Sequence, residues 1–177
     1  GDMADPSVDF DTLLSQAICT VPASVFDPLT ARMAQELGYA CAVLPGSAVA
    51  LHHLGVPDIM LTSADAVVDL CRRITRGIDI PLIVDGDHGF GNAINAYRFA
   101  QDLAAAGAAA VTIEDTCLPR PIAQDAPAGI PLSEACAKIG AAVDGAAGTT
   151  LRVIARTSTA VCPDAPTLIQ RLRAFEQ

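Results

Sequence analysis

The sequence predicts an α/β fold in which parallel strands alternate with helical crossovers. Three observations predict it. Five short β-branched runs each precede a longer amphipathic stretch. The runs are nearly continuous in apolar character, as parallel strands buried on both faces are. Polar residues stand at their carboxyl ends: Asp27, Ser47, Asp85 with Asp87, Glu114 with Asp115, and Arg156. A (β/α)8 barrel and a doubly wound open sheet both place their chemistry at that end, and five units by themselves fit either.

The first unit is the strand "ASVFD" (23–27) and the helix "PLTARMAQELG" (28–38), with Pro28 suited to a helix start and Gly38 to its end. The second is "CAVLPG" (41–46), a turn or short helix in "SAVALHHLG", and a helix over 63–77 capped by Ser63 and stopped by Gly77. The strand "IPLIVDGD" (80–87) leads to a helix over 92–107, with Asn92 as its cap. The strand "AAVTIEDT" (109–116) is followed by a long proline-rich stretch, "TCLPRPIAQDAPAGIP", whose length is that of a lid. A helix over 132–146, with Ser133 and Glu134 in its first turn, and the strand "LRVIARTS" (151–158) come next. A last helix begins at "PDAPTLIQ".

The 177 residues, 51% of them hydrophobic, read as a single domain with a sizeable core. Gly1 and Asp2, before Met3, read as the remnant of a cleaved tag. The acidic start lacks the basic and apolar regions of a signal peptide, and no apolar run approaches the ~18 to 20 residues of a membrane span. A cytoplasmic protein with no membrane partner is expected. Eleven basic residues against 20 acidic ones give a net charge of −9, which opposes nucleic-acid binding. A small anionic substrate would need a local positive centre, either a metal or an arginine. The six cysteines form no Cys-x-x-Cys pattern and read as buried hydrophobes of a reduced protein.

The stretch "VDGDHGFGNA" (84–93) carries the most chemistry. Asp85 and Asp87 at a strand end, with Glu114 at the next, make a hard-oxygen set of the kind that holds Mg²⁺ through one or two direct carboxylates and several waters. A plain Asp/Gly turn is the alternative. Gly89-Phe90-Gly91 is a poor dinucleotide fingerprint, because Ile94 replaces the third glycine and the preceding acids repel a pyrophosphate. His88 reads either as a contact to substrate or as a scaffold of the turn. His52 and His53 show no ligand spacing. Gly46 and Ser47 offer backbone N–H groups for a carboxylate or oxyanion, or simply start a helix. Arg156 offers a bidentate fork for a carboxylate, or an ion pair with Glu114 or Asp115.

Together "VDGDHGFGN", "TIEDT" and "IARTS", preceded by "LPGS" and "GVPDIMLTS", resemble the isocitrate lyase/phosphoenolpyruvate mutase superfamily over about residues 20–177. "ASVFDPLTAR", "DHGFGNA", "TIEDT" and Lys138 are most similar to its bacterial oxaloacetate decarboxylase branch. The resemblance implies a (β/α)8 barrel of which this chain carries the first five strand-helix units. It implies Mg²⁺, or Mn²⁺ in its place, held directly by Asp85 and through waters by Asp58, Asp87 and Glu114. Gly46 and Ser47 would bind the substrate carboxylate or an enolate oxygen, and Arg156 a substrate carboxylate. A small anionic 2-oxo acid would be the substrate and a homotetramer the assembly. The lyase signature Lys-x-Cys-Gly-His is absent from the long loop, which also lacks the asparagine of the mutases. Decarboxylation of oxaloacetate is the activity implied. A mutase or hydrolase acting on phosphonopyruvate or carboxyphosphonate is the enzymatic alternative, and an inactive partial barrel with an oligomerising role the non-enzymatic one.

Overall fold

The computed structural model describes residues 9–120 and 126–176. The proposed tag remnant and the middle of the long loop lie outside the described residues. A short helix α1 (Phe10–Ser15) comes first, tied down by buried Phe10 and Leu13. The strand-helix units follow in order: β1 (Ala23–Ser24), α2 (Pro28–Glu36), β2 (Ala42–Leu44), α3 (Gly46–Val49), a π-helical turn (Ala50–Leu54), α4 (Ala64–Thr75), β3 (Leu82–Asp85), α5 (Ala93–Ala105), β4 (Ala110–Glu114), α6 (Leu132–Ala146), β5 (Arg152–Arg156) and α7 (Ala165–Phe175).

The helix starts follow from local chemistry. Asp27 and Asn92 build capping boxes with Thr30 and Asn95, and Ser63 accepts from the Ala66 amide. Pro28 stands in the first turn of α2, where its missing N–H costs nothing. Helix α6 begins at Leu132 behind Pro131 with no side-chain cap, and Ser133 and Glu134 lie in its first turn, as expected.

All neighbouring strands pair in parallel, in the order β1-β2-β3-β4-β5. This order decides between the two folds left open by the strand-helix pattern. A doubly wound sheet reverses its direction at a switch point. Here every parallel step runs the same way, and crossovers of the usual right hand then keep the helices on one side, as in a barrel wall.

Burial confirms the sidedness. Leu44, Leu82, Val84, Val111 and Ile113 are almost fully buried beneath the helices, each worth about 1.5–3 kcal/mol of apolar burial. Val43, Ile83, Thr112 and Ile154 on the other side are only half buried. The expectation of strands buried on both faces therefore fails on the inner side. It fails most clearly at β5, which pairs only with β4 and has no buried residue.

Candidate functional site

Period-two alternation along the strands sorts the acids at their carboxyl ends. Asp85 and Thr112 are register partners on β3 and β4, as are Glu114 and Arg156 on β4 and β5. Their side chains meet on the half-open inner side. Asp85 is the hub. Its Oδ1 accepts from Thr112 Oγ1 at 3.1 Å, the Asp87 amide at 3.2 Å and Arg156 Nη1 at 3.5 Å, and its Oδ2 from the Gly46 amide at 3.3 Å. Arg156 Nη2 lies 2.8 Å from Glu114 Oε2. Of the two partners expected for Arg156 it takes Glu114, adds Asp85, and leaves Asp115 to Arg171.

Asp87 completes the group from a left-handed backbone position, φ 47°. Its carbonyl accepts from the Glu114 amide at 2.7 Å, which fixes the turn to the end of β4. Its carboxyl is pushed up to about 7, chiefly by burial, then by the charges of Asp85, Asp58 and Glu114, with Arg156 pulling the other way. Exposed Asp58, beyond the π-helical turn, is thus within electrostatic reach. Gly46 and Ser47 open α3 at the end of β2.

Asp85, Asp87 and Glu114 therefore share a mouth with one half-exposed guanidinium, with Asp58 at longer electrostatic range, and burial together with these negative charges raises the Asp87 carboxyl. That donor set suits a hard divalent cation. Among the described residues, no three His, Cys, Asp or Glu side chains close into a ready-made metal cage. The arrangement fits a cation held by one carboxylate, with the other acids reached through water, as Mg²⁺ is commonly bound. A separate cavity of about 410 Å³, bordered by Phe10, Pro81, Ala109 and Thr150, lies at the amino ends of the strands, away from these acids.

Three polar residues near the strand ends stand apart from the mouth. His88, which the sequence left as a substrate contact or a scaffold, is buried beneath the turn. The residue is 8% exposed, its ring centroid lies 5.9 Å from that of Phe90, and its Nδ1 has no partner. Burial and then the nearby Lys138 charge lower its pKa to about 4, so it stays neutral. Asp27 is spent on capping α2. Asp115, next to Glu114 but pointing the other way, is buried against Arg171. Sequence reasoning missed Thr112, whose signal was its place two residues before Glu114 on the same face of β4. It also missed the contact of Lys138 Nζ with the His88 carbonyl at 2.9 Å, which no sequence spacing announces.

Residues 10–177 match the sequence model of the family described as phosphoenolpyruvate phosphomutase. The oxaloacetate decarboxylase of Rhodopseudomonas palustris (strain BisB18) is 41% identical over 164 residues, which cover 93% of this chain and 57% of that protein. Oxaloacetate decarboxylase 2 of Pseudomonas putida (strain W619) is 43% identical over 171 residues, covering 95% and 55%. The chain spans a little over half the length of these curated relatives. A solved oxaloacetate acetylhydrolase in complex with the inhibitor 3,3-difluorooxalacetate superposes with a TM-score of 0.88 at 26% identity, covering 97% of this chain and 60% of that one. A phosphonopyruvate hydrolase complex with oxalate and Mg²⁺ superposes with a TM-score of 0.77 at 29% identity, covering 89% and 54%. Strand order, the acid-lined mouth and the match over nearly all of its length agree: the chain belongs to the phosphoenolpyruvate phosphomutase family, of the isocitrate lyase/phosphoenolpyruvate mutase superfamily, and carries the first five strand-helix units of its (β/α)8 barrel.

Proposed function

We propose that the protein is a Mg²⁺-dependent lyase that decarboxylates oxaloacetate to pyruvate. The observation that carries this reading is the convergence of Asp85 and Glu114 on Arg156 beside Asp87, whose carboxyl is pushed up to about 7, first by burial and then by the neighbouring acids. Relatives named oxaloacetate decarboxylase at 41–43% identity support the substrate. A neighbour solved with oxalate and Mg²⁺ supports the cation, for which Mn²⁺ would substitute.

Asp85 would hold the cation directly, and Asp58, Asp87 and Glu114 through water. When bound, the cation supplies Lewis-acid polarisation of the keto oxygen. Arg156 is half exposed, so its fork can turn from Glu114 to a substrate carboxylate without a large desolvation cost. Loss of the distal carboxyl as CO₂ leaves the bonding pair on the pyruvate enolate. The amides of Gly46 and Ser47, at the start of α3, would take the developing negative charge, the Gly46 amide by turning from Asp85 Oδ2, to which it now donates. The exposed apolar ridge of Leu29 and Met33 on α2, continued by Leu37 at its C-cap, supports a homo-oligomer, which we place as a tetramer. No described helix is long and apolar enough to cross a membrane, and we place the protein in the cytoplasm.

Purified full-length protein with Mg²⁺ and oxaloacetate, followed by pyruvate release, tests the reading. Release well above the metal-only rate and its loss in Asp85→Ala are expected. Release no faster than with metal alone would sink it. Hydrolysis of phosphonopyruvate is the second reading, favoured by the neighbouring phosphonopyruvate hydrolase. Phosphate release from phosphonopyruvate, assayed alongside, separates the two.

A further inference from the structure

We infer that Lys138 is a positioning residue: from α6, its buried side chain holds the turn that aims the Asp87 carboxylate at Gly46. The turn is costly to make. Asp87 (φ 47°) and Phe90 (φ 58°) adopt left-handed conformations without being glycine, and Gly89 and Gly91 are also at positive φ. Such backbones persist where the surroundings over-determine them. Three bonds hold the turn besides, from the Gly89 amide to the Gly86 carbonyl at 2.8 Å, from the Glu114 amide to the Asp87 carbonyl at 2.7 Å and from the Asp87 amide to Asp85 Oδ1 at 3.2 Å.

The underside is apolar, formed by the His88 ring and by Phe90, which packs 4.9 Å from Phe99. The His88 carbonyl faces it and takes its hydrogen bond from Lys138 Nζ at 2.9 Å. Lys138 is only 3% exposed. Its stem passes beneath Gly89, where an added Cβ would lie 3.5 Å from Lys138 Cδ and 3.2 Å from the Ala96 Cβ. An apolar side chain would fill the same space, but only a donor satisfies that carbonyl. Burial lowers the Lys138 pKa, a cost the site carries for this contact.

Amide hydrogen exchange by NMR tests the inference without reference to activity. In Lys138→Met, the amides of Gly89 and Glu114 are expected to exchange at least tenfold faster. Those of Val25 and Ala109, bonded to the Val43 and Leu82 carbonyls, should keep their rates, and Lys138→Arg should restore protection. Unchanged rates, or acceleration of all four amides together, would overturn it. If Lys138→Met does not fold, Lys138→Gln, one bond shorter in reach, is compared with Lys138→Arg. Equal protection in those two is then the overturning result. The link to the mouth rests on the metal reading. Mn²⁺ affinity, measured by electron paramagnetic resonance, should fall at least tenfold in Lys138→Met and recover in Lys138→Arg. Faster exchange with unchanged affinity would overturn the link to Asp87. If the unmodified protein binds no Mn²⁺, the metal reading fails, and the exchange rates still decide the role of Lys138.

Discussion

Gly46 rests against Asp87: a Cβ built on residue 46 would lie 3.0 Å from both carboxylate oxygens of Asp87. The end of β2 thus sets how far the carboxylate can swing. In Gly46→Ala the carboxylate must give way by a few tenths of an ångström, an overpacking cost of about 1–3 kcal/mol. Its larger effect is expected on ligand binding. Calorimetric titration should show Mg²⁺ or Mn²⁺ affinity reduced about tenfold, corresponding to about 1.4 kcal/mol, in a protein that still melts cooperatively. Unchanged affinity would mean that this contact does not order Asp87.

The raised Asp87 carboxyl makes the stability of the metal-free protein depend on pH. Between the ordinary 3.8 and about 7 the folded chain holds this proton while the unfolded chain has lost it. Stability from this group is therefore complete below 3.8 and is lost as pH rises to about 7. His88 acts in the opposite sense. Its pKa falls from 6.5 to about 4, so the unfolded chain binds more protons there and stability rises with pH across that window. Comparing Asp87→Asn with the parent separates the two. In urea melts with chelator, the variant should be more stable above about pH 7, by on the order of 2 kcal/mol after discounting for solvent access. The advantage should shrink towards acid. A pH-independent difference would contradict this.

Arg156 is half exposed, so its ion pairs with Glu114 and Asp85 contribute little to folding, at most about 1 kcal/mol. Its work is expected to be in binding. Arg156→Ala should raise KM for oxaloacetate at least about tenfold with little change in melting temperature, the signature of lost binding energy. Arg156→Lys keeps the charge and loses the planar fork, so it should recover only part of the loss. Pyruvate release across a range of oxaloacetate concentrations reads this directly. An unchanged KM in Arg156→Ala would remove Arg156 from the substrate site.

Much of this site was legible in the sequence because strand ends are punctuated by charge. Asp85, Glu114 and Arg156 follow apolar runs, and their spacing placed them at one end of one sheet. The period-two rule also separates Glu114 from Asp115, since neighbours on a strand face opposite ways. The burial of His88 was not legible. Its position in a turn left a substrate contact and a scaffold both open, and the packing of α5 and α6 under that turn is what buries it. The inner face misled for a related reason. Apolar residues at Val43 and Ile83 announce a buried barrel interior, yet the described strands form an open wall, and those side chains remain half exposed.

Asp115 gives the sharpest test of packing outside the mouth. Its side chain is 2% exposed and pairs with Arg171, itself 13% exposed, which also donates to the Ile130 carbonyl at 2.8 Å. The Ile130 amide returns to the Asp115 carbonyl at 2.8 Å, and Cys117 bonds Ala128, so the pair ties α7 to both ends of the long loop. Helix α7 has no fully buried residue, and besides the partly buried Phe175 packed on the core this tie is its main polar anchor. Removing one partner of a buried pair strands the other charge, at a cost of about 3–5 kcal/mol. Arg171→Met should therefore lose that much in urea denaturation. Arg171→Met combined with Asp115→Asn should lose less than the single change, because no unpaired charge remains. If the double variant is as unstable as Arg171→Met or more so, the stranded carboxylate is not the source of the cost, and the loss lies in the docking of α7 itself.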